Sequence, residues 1–165
     1  MSNRPDAVRG VQPTYVEIDS SGTGRGVAAA RWIAAGETVL AFRGPLLNRG
    51  QVEDFTHVIE IGPGRFLGPS GEPDDLVNHS CDPNCAVRVE GDRAVLWALR
   101  TILRHEELTY DYSTTMVTDP TAFPCSCGAA NCRGRVRRWA KLPVGVRKLQ
   151  SRRGMVPRFV SAAAG

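Results

Sequence analysis

Up to about residue 142 the chain holds no stretch in which apolar residues recur at helical spacing for three turns, so its body must be short strands and loops. Tyr15-Val16-Glu17-Ile18 alternates as a strand does, and a second strand-like run begins at Val27. Ala34-Ala35-Gly36-Glu37 reads as a turn into Thr38-Val39-Leu40-Ala41-Phe42, which ends at Gly44-Pro45. Between residues 49 and 68 the alternation weakens. His57-Val58-Ile59-Glu60-Ile61 is the best strand there, with Pro63-Gly64 as a hairpin turn into Arg65-Phe66-Leu67. The clearest unit is residues 86–90, then Gly91-Asp92, then residues 93–99, a β-hairpin with a two-residue turn. Past 142 the period changes: Leu142, Val146 and Leu149 recur, with Pro143 near the start and Gly154 after the end, which predicts one short helix. Nothing resembles a βαβ unit, so a Rossmann cofactor site is disfavoured despite the glycines.

At 165 residues the chain suits one domain with its own core. A hydrophobic fraction of 42% and a charged fraction of 23% argue against disorder. No apolar run approaches the ~20 residues of a membrane span, and no membrane partner is expected. The start, MSNRPDAVRG, lacks the apolar core of a signal peptide, and five cysteines are an odd number for a disulfide scaffold. The expectation is an intracellular domain with reduced thiols, cytoplasmic if the source is bacterial, with the nucleus a candidate if it is eukaryotic. From Arg133 onward the chain carries ten Lys or Arg and no acid, whereas the first 132 residues set the other 11 basic groups against all 17 acids. Such a basic tail either folds back and pairs with the acidic body or meets nucleic acid. The lack of an aromatic platform among its arginines argues against single-strand stacking.

The sharpest local pattern is Cys125-Ser126-Cys127 followed by Cys132. Three thiols separated by small residues can converge on one tetrahedral zinc at about 2.3 Å. A distant cysteine would close the fourth position; Cys81 and Cys85, both in Asn78-His79-Ser80-Cys81-Asp82-Pro83-Asn84-Cys85, are the candidates. The bland alternative is a set of buried thiols acting as small hydrophobes. Gly22-Thr23-Gly24-Arg25-Gly26 is weak alone, because glycines serve turns as well as ligands. A lone His79 is more often structural than catalytic. Tyr110-Asp111-Tyr112 would place both rings on one face of a strand, as core or as the walls of an apolar slot.

Together, Gly24-Arg25-Gly26-Val27, residues 78–84, Glu107-Leu108-Thr109-Tyr110-Asp111-Tyr112 and the cysteine cluster followed by Arg133-Gly134 resemble the SET-domain protein-lysine methyltransferases with a post-SET zinc segment, over about residues 14–135. The likeness is to the compact, stand-alone members. It implies a mainly β fold of several small curled sheets, short helices, and the Asn78 segment threaded near Tyr112 as a C-terminal pseudoknot. It implies S-adenosylmethionine as methyl donor, with Gly24, Arg25 and Gly26 at its amino-acid end and Asn78 and His79 at its amino group and adenine. Cys81 would join Cys125, Cys127 and Cys132 on one structural zinc, leaving Cys85 free. Tyr112, also against the donor, would be the catalytic tyrosine, and Tyr110 the switch position, favouring mono- or dimethylation of a lysine ε-amine.

The chemistry fits those residue types. In-line displacement depends on alignment, the lysine must shed a proton held with a pKa of about 10.4, and a desolvated channel beside a sulfonium favours that loss. Weak CH···O contacts to hydroxyl and carbonyl oxygens can steady the methyl group. The implied divisions are an arm at 1–12, a SET domain at 13–118, a zinc segment at 119–136 and a basic extension at 137–165. The expected partner is a basic protein carrying the target lysine, histones and histone-like proteins among the candidates, with nucleic acid a further candidate through the tail. Departures exist: Phe42 stands where many members have tyrosine, Pro45 where they have glutamate, and His105 where glycine is frequent. The alternative function is a catalytically idle SET-like zinc module that binds a protein or nucleic acid through its arginine-rich tail.

Overall fold

The structure, a computed structural model, describes residues 13–20, 24–118 and 120–163; the expected arm at 1–12, and Gly22 and Thr23 of the glycine stretch, lie outside the described residues. In chain order the strands are β1 (Tyr15–Ser20), β2 (Gly24–Ala29), β3 (Thr38–Phe42), β4 (Leu46–Asn48), β5 (Ile59–Gly62) and β6 (Arg65–Leu67). There follow β7 (Asn78–His79), β8 (Cys85–Glu90), β9 (Arg93–Ala98), β10 (Thr109–Tyr110), β11 (Phe123–Pro124) and β12 (Arg135–Val136). Two helices, α1 (Val144–Arg152) and α2 (Arg158–Ala162), close the chain. The strands form small sheets of two or three: β1-β2, β3-β9-β8, β4-β6-β5, β7-β10 and β11-β12. The mainly β expectation is met, and among the described residues no helix is long and apolar enough to cross a membrane.

The β8–β9 hairpin turns at Gly91, whose φ of +61° suits glycine, and the β5–β6 hairpin turns at Gly64, φ +69°. Along β9 the alternation works as the period-2 rule requires, with Ala94, Leu96 and Ala98 buried between less buried neighbours. These residues meet Val27, Ile33, Val39, Ile102 and Leu108 in the main core, where burying each Leu or Ile stabilises by about 1.5–3 kcal/mol. Gly44 has a different reason to be glycine: a Cβ there would lie 1.5 Å from the Gly68 carbonyl oxygen, so the chain crosses itself where only hydrogen fits.

Three expectations need correcting. The strand expected from His57 begins only at Ile59, because His57 has φ +58° and its Nδ1 lies 2.7 Å from the Asp75 carbonyl oxygen. Tyr110 and Tyr112 do not share a strand face; β10 stops at Tyr110, and Asp111 caps a 3-10 turn at Tyr112–Thr115. The helix appears, but Leu142 precedes it and Leu149 is 52% exposed, whereas Gln150 is buried. Val146 and Gln150, one turn apart, face inward instead. A polar contact decides that rotation: the Gln150 amide donates to the Asp111 carboxylate. Beneath α1 and α2, Trp139, Leu142 and Val160 form a second small apolar cluster.

Candidate functional site

The parallel pair β7–β10 sets Asn78 beside Thr109 and His79 beside Tyr110, and the Ser80 N–H continues the pairing to the Tyr110 carbonyl at 3.1 Å. Two segments thirty residues apart are thereby laid side by side, which is the juxtaposition the pseudoknot expectation requires. Around it lie a polar corner, an aromatic wall and a thiol cluster.

The polar corner joins β2 to this pair. The Asn78 side-chain amide donates to the Arg25 carbonyl at 2.9 Å and to Glu107 Oε1 at 2.8 Å. Ser20 Oγ donates to the same carboxylate at 2.8 Å. Gly26 has no room for a side chain: a Cβ would stand 2.6 Å from Glu107 Oε1 and 2.8 Å from Asn78 Nδ2. Gly24 has φ +89° and open space around it, so the backbone at its exposed turn is accessible.

The aromatic wall comprises Tyr110 and Tyr112, ring centroids 4.8 Å apart, with Phe42 edge-on to Tyr110 at 6.2 Å and Phe123 edge-on to Tyr112 at 6.4 Å. Phe42, Tyr110, Tyr112 and Phe123 border a cleft of ≈ 410 Å³, which Glu53, Asp54, Asp74 and Asp75 also line. Gly24, Arg25, Gly26, Asn78 and His79 do not line it. The Tyr112 hydroxyl donates to the Val77 carbonyl at 2.7 Å. With its one proton committed, the phenol oxygen offers only lone pairs. Burial, reinforced by the Glu107 charge, pushes the Tyr112 pKa well up, so this phenol stays neutral and is no general base.

The thiol cluster brings Cys81 to 3.9 Å and Cys132 to 3.7 Å from Cys125, sulfur to sulfur. A tetrahedron with metal–sulfur bonds of about 2.3 Å has edges of about 3.8 Å, so the spacing fits zinc. Ligand atoms of His79, Cys81, Cys125 and Cys127 all lie within 4.8 Å of one another, which offers His79 as a competitor to Cys132. Hydrogen bonding argues against it. The Tyr112 N–H donates to His79 Nδ1 at 3.2 Å, so the neutral ring carries its proton on Nε2, 3.4 Å from Cys81 Sγ. A protonated Nε2 donates to a thiolate rather than binding metal. Burial holds the His79 pKa down at about 4, against the pull of Asp111, so the ring remains neutral. N–H groups of Cys81 and Arg133 point at Cys127 Sγ and Cys81 Sγ, each at 3.4 Å. Burial opposes ionisation of Cys127, but the backbone N–H groups of Cys81 and Ala129 and the neighbouring Cys132 and Cys125 thiols outweigh it and bring its pKa to about 7. Cys85 is fully buried in the main core, where burial pushes its thiol up to about 12.

Four residues that the sequence reading did not single out hold these parts together. Glu107 anchors the polar corner, and its place beside Glu106 in the Tyr110 motif was the available signal. Asp111, fully buried, accepts from Arg133 at 2.8 Å, from the Ser113 N–H at 3.1 Å and from Gln150. Glu60, buried in β5, accepts from the N–H groups of Val117 and Thr118 at 2.8 and 2.9 Å and fixes the segment that follows Tyr112. Gln150 carried no signal, since a glutamine on a short basic helix ordinarily faces water.

Small sheets around a paired Asn-His and Tyr-Asp-Tyr core, with a thiol cluster at the end, define a class that comparison with known proteins names. The SET domain family matches residues 24–113, and the chain belongs to that family. Over 126 residues it is 37% identical to human histone-lysine N-methyltransferase 2B, covering 67% of this chain and 5% of that protein. The Drosophila melanogaster histone-lysine N-methyltransferase trr is 48% identical over 61 residues, 34% of this chain and 2% of that one. Among solved structures, KRYPTONITE in complex with mCHH DNA, an H3(1-15) peptide and SAH superposes with a TM-score of 0.62 at 28% identity, over 73% of this chain and 29% of that one. The methyltransferase domain of human SETMAR gives a TM-score of 0.65 at 25% identity, over 79% and 60%. The chain thus spans only a small part of the curated relatives it matches.

Proposed function

We propose that this chain transfers a methyl group from S-adenosylmethionine to the ε-amine of a lysine in a basic, histone-type protein, stopping at one or two methyls. The observation that carries the reading is the position of Tyr112. Its ring borders the acid-lined cleft and contacts His79 at 5.3 Å, while its hydroxyl meets the carbonyl of Val77, next to Asn78.

The donor supplies an activated methyl on a sulfonium. Gly24, Arg25, Gly26 and Asn78 would hold its amino-acid end, where the Arg25 carbonyl and the Glu107 carboxylate make a corner suited to an ammonium. The His79 imidazole is only 7% exposed and spent on Tyr112 and Cys81, so contact with the donor falls to the backbone of that residue. Phe42, Tyr110 and Tyr112 would sheath the lysine methylenes, and Glu53, Asp54, Asp74 and Asp75 would draw basic neighbours of that lysine to the cleft. Tyr112, neutral and with lone pairs to give, would orient the amine and steady the methyl hydrogens rather than remove a proton. Tyr110 narrows the slot, which supports the low product order. Cys81, Cys125, Cys127 and Cys132 would bind a structural zinc, with His79 donating to Cys81. The names of the relatives support the substrate class, and the sulfur spacing supports the metal.

Calorimetric titration of the zinc-loaded protein with S-adenosylmethionine tests the donor site. Micromolar binding is expected, lost in Asn78→Ala and in Gly26→Ala, whose new methyl would displace Glu107 and Asn78. Absence of binding by the folded, metal-loaded protein would overturn the reading.

A further inference from the structure

Beyond β12 the chain leaves the sheets and lays a helical layer over the body, but not in the way its charge suggests. The layer is held by the Trp139–Leu142–Val160 cluster and by the Gln150–Asp111 bond. Its cations take almost no part. Of the eight Lys and Arg between residues 137 and 158, seven are exposed, and among the described residues only Arg153 forms an ion pair, with Asp82 at 3.3 Å. No acid lies in this stretch to relieve their mutual repulsion. The tail therefore folds back without neutralising itself, and the charge is left facing outward.

The face also has a shape. Val144, Arg147, Lys148, Ser151 and Arg152 of α1, Ser161 of α2 and Trp139 line a hollow of ≈ 480 Å³. Residues 147 and 151, and 148 and 152, are each one turn apart, so these side chains stand on one face of the helix. Three cations and the Ser151 hydroxyl, with no carboxylate among them, offer the donors that phosphate oxygens require, while Ser161 Oγ spends its proton on the Arg158 carbonyl at 3.0 Å. Because Gln150 pins α1 from its other side, the hollow sits on a fixed element.

From this geometry we infer that the C-terminal helical layer binds the phosphate backbone of a nucleic-acid duplex, with the α1–α2 hollow as the principal phosphate site. The cations extend onto the 3-10 turn at Trp139–Lys141 and onto α2, more spread than a single small anion uses. Trp139 is 4% exposed, so no ring is offered for stacking single-stranded bases. Val144 and Leu149 are the exposed large apolar residues of α1, too little for insertion into a lipid surface. Contacts confined to phosphates make the binding independent of sequence and steeply dependent on salt.

The test is fluorescence anisotropy of the zinc-loaded full chain with a labelled DNA duplex of about 20 base pairs, between about 50 and 200 mM salt. The expected result is a log–log salt slope of about −3 to −5, the same for two unrelated sequences. The Arg147→Ala/Lys148→Ala/Arg152→Ala variant should lower that slope by about 2–3 and weaken binding at low salt by at least about tenfold. Ser161→Glu, which places one carboxylate in the hollow, should weaken it in the same direction, while Arg93→Ala/Arg104→Ala, exposed and elsewhere, should bind as the unchanged protein does. Equal binding by the triple variant, no binding at low salt, or tighter binding of an acidic peptide or anionic vesicles than of the duplex would each overturn the inference.

Discussion

Cys81→Ser should release the zinc and loosen the whole segment from residue 120 to 136, whereas Cys85→Ser should keep one zinc per chain. The two cysteines lie four residues apart, yet Cys81 stands 3.9 Å from Cys125 Sγ, and Cys85 is sealed in the core. Residues 120–136 contain only two short strands, β11 and β12, paired with each other, and their exposed side chains bury little. Apart from the Arg133–Asp111 ion pair and the buried Val136, the thiol cluster is what ties this segment to the body, so a bound zinc would supply much of its cohesion. Structural zinc contributes about 10–16 kcal/mol of apparent binding free energy in small peptides, comparable with the ~5–15 kcal/mol that holds an entire domain. Because Phe123 borders the cleft and His79 touches both Cys81 and Tyr112, loss of the ion should also abolish methyl transfer. Metal content by mass spectrometry, with hydrogen exchange over residues 120–136, measures both effects. Full zinc occupancy in Cys81→Ser would contradict the assignment, as would a larger loss in His79→Gln than in Cys132→Ser.

Asp111→Ala should lower the thermal midpoint by roughly 6–20 °C. The carboxylate is fully buried and is where three parts of the chain meet: Ser113 of the turn after Tyr110, Arg133 of the zinc segment and Gln150 of α1. Removing it leaves the Arg133 guanidinium, 13% exposed, without its counter-charge. Breaking a buried pair from one side costs about 3–5 kcal/mol, and each kcal/mol shifts the midpoint of a domain this size by about 2–4 °C. Gln150→Leu removes one neutral donor and should cost about 1–2 kcal/mol. Scanning calorimetry separates the two. A midpoint within about 2 °C of the unchanged protein for Asp111→Ala would show that the junction is not what joins the C-terminal layer to the tyrosines.

Local signals made much of this legible. The β8–β9 hairpin was readable because a two-residue Gly-Asp turn separates two runs, and β3 because Gly36 and Gly44 bracket its apolar run. Sequence reading faltered where a long-range polar contact overrode the apolar pattern. Leu149 looked inward-facing until Gln150 found Asp111, thirty-nine residues away, and a hydrophobic period carries no trace of such a bond. His57 likewise broke an apparent strand through a contact with Asp75. In the site, the residues expected to touch ligands were visible as motifs. Glu60 and Gln150, which hold those residues in place, were not, and Asp111 stood in the motif with no sign of its structural part, because burial of a polar side chain depends on partners that only the fold supplies.

The most direct test of the account is methyl transfer itself: labelled S-adenosylmethionine, the zinc-loaded chain and a histone mixture, with the modified residue located by mass spectrometry. Mono- or dimethyl-lysine is the expected product, reduced on the order of a hundredfold in Tyr112→Phe, since the loss of one positioned hydroxyl removes alignment but not binding. Undiminished transfer by Tyr112→Phe, or no labelled lysine from a folded protein that binds the donor, would contradict it.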